Sequence, residues 1–486
     1  MTTSCRRNLV FLLVCFALHF FFIQASRADD GVRAPGPVAD SNDGIVKGAV
    51  RADSSDTLLP PDKRKRLRNI DAEVILECID LARFNVNFHE EANKHWKWRS
   101  VLYPLAKESS TALSFANVIS DINQRGRSFG NVSRRSNAVR RRGLYTTATG
   151  KVIGGTASAL ELTQNGIVCM LAAKKGYSPK KSVDFVLEKR ERIDKLLRDR
   201  DRIIDLVRQG DSKRLLKLES MLMRRIENRL IREFKRWSAL SREQMWNENV
   251  FFALDVSQNS INFSNNVLSL GSVSHPSNVR TASILGLVAK SISTLNPVVR
   301  SVAGKIVRRY QKSKLDRLLP QDDIPSAENL ISPFGEEEAL LALAADKSRN
   351  ARQLEEFALI VKGSQKVDDM VEKEVEKIEK LRRVATQQTI SGPLIGLTAL
   401  AQKILVVVSV YGDGDANTNN QLRFAGRISQ ASGQAYSLVN TPTTQVLHYL
   451  KNRSLKREGK LPAQVFQQRR EKLNQVEKKV RGWIVD

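Results

Sequence analysis

Long stretches of this chain carry apolar residues at steps of three and four, which is the spacing of one face of a helix. The clearest apolar seam runs from Leu215 to Trp237, and another runs from Leu354 to Leu381 among Glu/Lys pairs. Narrow seams among charged residues are typical of coiled coils and long antiparallel helical hairpins. No stretch shows the alternation expected of a strand, so we predict an all-α protein.

Three segments of another kind interrupt these seams. Each is rich in small residues, runs up to an asparagine, and continues into a basic stretch; they are Thr146–Tyr177, Thr281–Tyr310 and Phe424–Leu450. A glycine or proline closely follows Asn165, Asn296 and Asn440, which predicts a turn at each pivot. Small residues let helix backbones approach closely. This weak internal repeat predicts an elongated bundle of helical hairpins in which the three small-residue segments pack together.

The N-terminus has the three parts of a secretory signal peptide. Basic Met1–Asn8 precedes apolar Leu9–Ile23, and Ser26 and Ala28 are small residues at a cleavage site. Fifteen apolar residues fall short of the ~20 that a spanning helix needs. We therefore predict export to the periplasm, the cell surface or the medium. The expected parts are a signal peptide (1–28), a polar leader (29–61), N-terminal helices (62–110) and three helical units (111–254, 255–390 and 391–486, the last one truncated).

The strong basic charge limits the class of partner. The formal net charge is +27, and loss of the three arginines of the signal peptide leaves +24. Such a field attracts polyanions, and after export these are envelope polymers or lipid headgroups. Another protein could bind through the coiled-coil faces. Nucleic acid is a weaker alternative, because aromatics make up 6% of residues and base stacking needs them. A basic loop supplies the expected polyanion contact: Arg134, Arg135, Arg140, Arg141 and Arg142.

No set of residues forms a convincing catalytic or metal site. His89 and His95 are six residues apart and point to different helix faces, whereas two ligands on one face need a spacing of four. Asp413, Asp415 and Asn417 match only the start of a calcium loop. Cys78 and Cys169 could form a disulfide, or both could be buried free thiols. We expect no enzyme, no cofactor and no metal.

The sequence therefore predicts a secreted, non-catalytic helical scaffold of a bacterial-type cell envelope that contacts anionic polymers. The main alternative is a membrane-active protein that inserts an apolar hairpin. The apolar segment Leu394–Tyr411 decides between them, although Lys403 in its middle is costly in lipid. Exposure of this segment favours the membrane alternative, and full burial counts against it.

Overall fold

The computed structural model describes residues 60–92, 99–126, 137–207, 211–272, 275, 277–320, 391–412, 415–457 and 462–485. All of them belong to one unit, Ser54–Asp486. The predicted signal peptide, most of the leader and the seam from Leu354 to Leu381 lie outside the described residues.

The described residues form α-helices and no strand, which confirms the all-α prediction. In chain order the helices are α1 (Pro61–Ala92), α2 (Arg99–Gly126), α3 (Asn137–Lys174), α4 (Pro179–Asp205), α5 (Asp211–Gly271), α6 (Asn278–Leu318), α7 (Ser391–Tyr411), α8 (Ala416–Arg457) and α9 (Pro462–Val485).

Helices α1, α4 and α9 pack with the first half of α5 around one apolar core. From the seam that runs from Leu215 to Trp237, Leu222, Ile226, Leu230 and Phe234 line the α5 side of this core. Ile79, Leu197 and Leu230 are fully buried within it, and Phe84 stacks on Phe185 with ring centroids 4.3 Å apart. Removal of these aliphatic and aromatic side chains from water stabilises the packing of the four helices.

One fully buried cation ties three helices of the apolar core together. Arg200 on α4 donates from Nε to the Asp71 carboxylate on α1 at 2.6 Å. Its other nitrogens donate to Glu219, Ser220 and the backbone oxygen of Leu216 on α5. A buried guanidinium needs such complete pairing, because removing a charge from water is costly.

His89 should make the apolar core sensitive to acid. The centroid of its ring lies 4.0 Å from the ring centroid of Trp237 and 4.8 Å from that of Phe466. Burial lowers the pKa of His89 from 6.5 to about 3. The unfolded chain takes up a proton near pH 6.5 while the folded state does not, so stability falls as the pH drops below that value. Between pH 7 and pH 5 we expect His89 to cost about 2 kcal/mol of unfolding free energy.

Urea unfolding at the two pH values measures this cost. The His89→Leu variant should lose that part of the pH dependence, whereas His275→Gln, a change at an exposed histidine, should keep it. An unchanged pH dependence in His89→Leu would contradict the assignment.

The remaining helices contact one another in a closed cycle. Its members, in order, are α2, α3, the second half of α5, α6, α7 and α8, and each contacts the next. The last member, α8, contacts α2 and so closes the cycle. We call these six segments the ring. Side-chain pairs show that neighbours run antiparallel. Along the α2–α8 contact, for example, Asp121 pairs with Arg427 and Ser114 with Gln434 further down.

The small-residue segments lie on α3, α6 and α8, which occupy alternate places in the ring. The prediction that they pack together is not confirmed: among the described residues, no two of these three helices make an extensive contact. Their small residues serve the contacts with intervening helices instead. A methyl group at Gly150 of α3, for example, would stand 3.1 Å from the Ser110 backbone oxygen of α2.

The predicted turns at the three asparagines are wrong, because α3, α6 and α8 run through them as continuous helix. Two of the asparagines bond to the adjacent helix α5 and do not cap a helix. Asn165 donates to Asn249 at 2.9 Å, and Asn296 donates to the Phe251 backbone oxygen at 3.4 Å. Pro297 therefore lies inside α6, where packing against α5 and α7 outweighs its local preference to end a helix.

Candidate functional site

The ring and the apolar core bury opposite kinds of side chain. The buried side chains of the ring helices are largely polar, and among them are Ser110, Asn117, Ser158, Glu161, Asn165, Asp255, Asn259, Asn262, Asn265, Asn296, Arg300, Gln402 and Ser437. The buried apolar residues there are few and mostly small, such as Ala157 and Ala289.

Between basic residues near the helix ends, the described exposed positions on the outer surface of the ring carry no charge. On α3, every exposed position from Tyr145 to Leu171 is apolar or a small or hydroxyl residue, with Val152, Leu160 and Met170 among them. On α6 the exposed positions between Arg280 and Lys305 include Ile284, Val288, Leu295, Val298, Val299 and Val302 and carry no charge. We call this outer surface the belt.

The exposed positions on the other ring helices extend the belt. They are Leu397, Ile404 and Val408 on α7, Ile428, Tyr436, Val439 and Leu447 on α8, and Phe263 and Val267 on α5. In a chain with 27% charged residues, a surface of this size without an exposed charge needs a physical cause. Exposed apolar surfaces larger than a few hundred Å² usually meet protein or lipid.

The height of the belt can be measured along two helices. On α6, 24 residues separate Arg280 from Lys305, which at ~1.5 Å per residue is about 36 Å. On α3, Arg141 and Arg142 lie at one edge of the belt, and Lys174 and Lys175 lie at the other. The hydrocarbon core of a bilayer is about 30 Å thick, so the belt is tall enough to cross it with basic residues at both edges.

Among the described helices, one, Asn278–Leu318, is long and apolar enough by length and composition to cross a membrane, and Gly396–Tyr411 is a shorter apolar helix. Only 28% of the apolar window of the longer helix is buried, whereas the core helix of a water-soluble protein is mostly buried. The deciding segment Leu394–Tyr411, on α7, likewise exposes Leu397, Ile404, Val408 and Tyr411.

Asp255 on α5 organises the polar interior of the ring. Its carboxylate accepts hydrogen bonds from Lys107 on α2, from Ser158 on α3 and, at 3.1 Å, from the Asn259 amide. The Lys107 and Asp255 side chains are 23% and 9% exposed, so this ion pair is largely shielded from solvent. It connects three ring helices from the inside.

Several buried amide atoms of the ring helices have no hydrogen-bond partner among the described residues. They are Gln164 Oε1, Asn266 Nδ2, Asn296 Oδ1, Gln402 Oε1 and Gln434 Oε1. An unpaired buried polar atom costs about 1–3 kcal/mol. So many together indicate an interior that takes up water or a polar solute.

Lysines from four ring helices belong to this interior: Lys107 on α2, Lys151 on α3, Lys290 on α6 and Lys403 on α7. All four are partly buried. Lys151 interacts electrostatically with Lys290, Lys107 and Asp255, and Lys403 interacts with Lys151 and Arg427. Lys403 was the apparent obstacle to placing its helix in lipid; in the ring it extends towards Gly286 of α6 rather than outwards.

The arginines predicted to contact polyanions are only partly described. Arg134 and Arg135 lie outside the described residues. Arg140 donates to the Ser272 hydroxyl at 2.7 Å, which joins the start of α3 to the end of α5. Arg141 and Arg142 are exposed at the edge of the belt.

The other residues considered from the sequence form no site within the part of the chain that the structure describes. Cys78 and Cys169 are free thiols on different helices, and the disulfide is not formed. Burial raises the pKa of the Cys78 thiol well above its usual range, while Cys169 is exposed. Asp415 accepts a hydrogen bond from the Thr418 backbone amide at 2.8 Å and so caps α8. His95 and Asp413 lie outside the described residues, and within those described no cluster of potential metal ligands occurs.

Sequence reasoning missed the lysine cluster altogether. The signal was present in the chain, since Lys151 and Lys290 stand alone in long uncharged runs of the first two small-residue segments. Only the ring brings them together.

Comparison with known proteins found no match: no family model, no curated protein and no solved structure matches the chain.

Proposed function

We propose that this protein is an integral membrane protein whose ring is embedded in lipid, while the apolar core and the basic helix ends lie in water. The observation that carries the proposal is the reversed burial of the ring, which has a polar interior and an uncharged exterior. Among the alternatives considered from the sequence, this geometry favours the membrane protein over the scaffold.

The free energy of solvation supports this arrangement. In lipid, the apolar belt loses no hydrophobic free energy by facing outwards, whereas in water the same surface is a liability. Polar and charged side chains are costly in lipid unless they face the interior of a helical assembly, where they pair with each other or with water. Asp255, Lys107 and Arg427 meet that requirement, because each pairs within the ring.

The basic residues at the edges of the belt would lie at the level of the lipid headgroups. Lys and Arg near the ends of a membrane helix extend towards the phosphate headgroups. The exported location and the polyanion contact through Arg134, Arg135, Arg140, Arg141 and Arg142 thus remain part of the proposal, with anionic lipid headgroups as the favoured partner. The coiled-coil-like hairpins predicted from the apolar seams would extend outside the bilayer.

Fractionation of expressing cells tests the proposal. We expect the protein to sediment with membranes, to resist extraction by 1 M salt and by alkaline carbonate, and to float with lipid vesicles after reconstitution. These treatments remove proteins that are held by charge alone, because salt screens the attraction between exposed charges.

The same experiment separates the proposal from its rivals. Retention on delipidated wall material that is lost at high salt would reject membrane embedding and favour the envelope scaffold. A protein that is soluble without detergent as a defined oligomer would also reject it, because the belt would then be an interface between copies of the chain.

A further inference from the structure

We propose that the lysines inside the ring form a binding site for a small multivalent phosphate anion. This inference deepens the proposed function: it rests on the ring as a membrane-embedded structure with a polar interior, and it names the solute class that the interior takes. The site comprises Lys151, Lys290 and Lys403, with Lys107 and Asp255 at its side.

The geometry brings two of the three lysines together where α7 packs on α6. A methyl group at Gly286 of α6 would stand 2.7 Å from Lys403 Nζ, so the Lys403 side chain reaches across from α7 onto α6. Lys290 lies one helical turn further along the same face of α6, because residues four apart share a face. Lys290 accordingly interacts with Lys403 as well as with Lys107.

Lys151 approaches this pair from α3. It interacts electrostatically with both Lys290 and Lys403. Two turns along α3, Ser158 donates to the Asp255 carboxylate that also accepts from Lys107. Electrostatic interactions therefore link lysines from four helices, and each helix is held by its own contacts in the ring.

The charges in this region do not balance. Lys151 and Lys290 interact with one carboxylate, that of Asp255, whereas Lys107 also interacts with Glu108. Asp255 is already engaged by Lys107, Ser158 and Asn259. Lys151, Lys290 and Lys403 form no ion pair and no hydrogen bond with any side chain that the structure describes. Three like charges held together in a partly buried place are mutually destabilising.

A small anion with two or more charges removes this repulsion. Ammonium groups bind phosphate oxygens as point charges and can donate three hydrogen bonds each. Three of them arranged around a region suit the oxygens of a tetrahedral phosphate better than a planar carboxylate. The orphaned amide atoms of Gln402 on α7 and Asn266 on α5 add uncharged groups for water or solute in the same interior.

Titration of the full-length protein in a neutral detergent with pyrophosphate tests the site, with isothermal calorimetry as the readout. We expect saturable binding near one anion per chain. Lys290→Gln and Lys151→Gln should each weaken the affinity at least tenfold, and Lys290→Arg should largely retain it because the charge is kept. The matched control is Lys195→Gln, which removes an exposed lysine on α4 and should leave the affinity unchanged.

The outcomes separate this inference from the proposed function. No saturable binding, or equal affinity in all the variants, would overturn the phosphate site even if the protein floats with vesicles. Binding that depends on Lys290 in a protein that fails to float would support the site and reject membrane embedding. Displacement of pyrophosphate by a short-chain phosphatidate would identify a lipid headgroup as the source of the phosphate.

Discussion

Replacement of Arg200 by methionine should destabilise the protein by about 3–5 kcal/mol, because it leaves the Asp71 and Glu219 carboxylates buried without their cation. Arg200 is fully buried and donates to both carboxylates as well as to Ser220. Methionine keeps the unbranched aliphatic stem of the side chain and removes the guanidinium that pairs with the carboxylates. Urea unfolding of the full chain in mild detergent, followed by far-UV circular dichroism, measures the free energy.

A neighbouring arginine supplies the matched control. Arg202 is 80% exposed and pairs with Asp199 on the same helix, so Arg202→Met should cost less than about 1 kcal/mol. If the destabilisation arises from uncompensated charge, adding Asp71→Leu and Glu219→Leu to Arg200→Met should recover much of it. Equal stabilities of Arg200→Met and Arg202→Met would contradict the proposed role of the buried ion pairs.

Aspartate at two places on the belt should abolish membrane integration. Val288 and Leu295 lie in the middle part of the belt on α6 and are 42% and 55% exposed. A charge at the centre of a bilayer costs about 2.5–3.5 kcal/mol in insertion measurements, and the two changes together should cost about twice that. We expect Val288→Asp with Leu295→Asp to lower the fraction of protein that floats with vesicles and resists carbonate.

The sign of this effect distinguishes lipid from water around the belt. If the belt faced water, the same changes would replace exposed apolar groups by charges and would be neutral or improve solubility. Leu206→Asp is the control, since Leu206 is 61% exposed at the end of α4, outside the ring. Undiminished flotation of the belt variant would reject the lipid-facing assignment.

The local pattern predicts the helices well but predicts their ends and their outward faces poorly. The seam from Leu215 to Trp237 has the correct period, and its residues Leu222, Ile226, Leu230 and Phe234 line the apolar core, because a helix in water must bury its apolar face. The pivots at Asn165 and Asn296 mislead for the opposite reason. The contacts that these asparagines and their helices make with α5 outweigh their local preference for a turn.

The candidate site depends on contacts that no local pattern encodes. Lys151, Lys290 and Lys403 are separated by more than a hundred residues, and a lone lysine in a run of small residues predicts neither an inward nor an outward direction. The cost of Lys403 in lipid argued against a membrane segment only while its surroundings were unknown. The packing of α7 against α6 removes that objection, because it places the ammonium group inside the ring.

By itself, the sequence determined the all-helical class and the apolar residues of the core, because period and composition act within a few turns of one helix. It also displayed the three small-residue segments, whose copies can be compared along the chain. Only the tertiary structure decided that these segments alternate around a ring and that the polar residues face inwards. It also decided that lysines from four helices interact with one another. Those properties are differences in free energy between arrangements of whole helices, and they depend on which surfaces other helices cover.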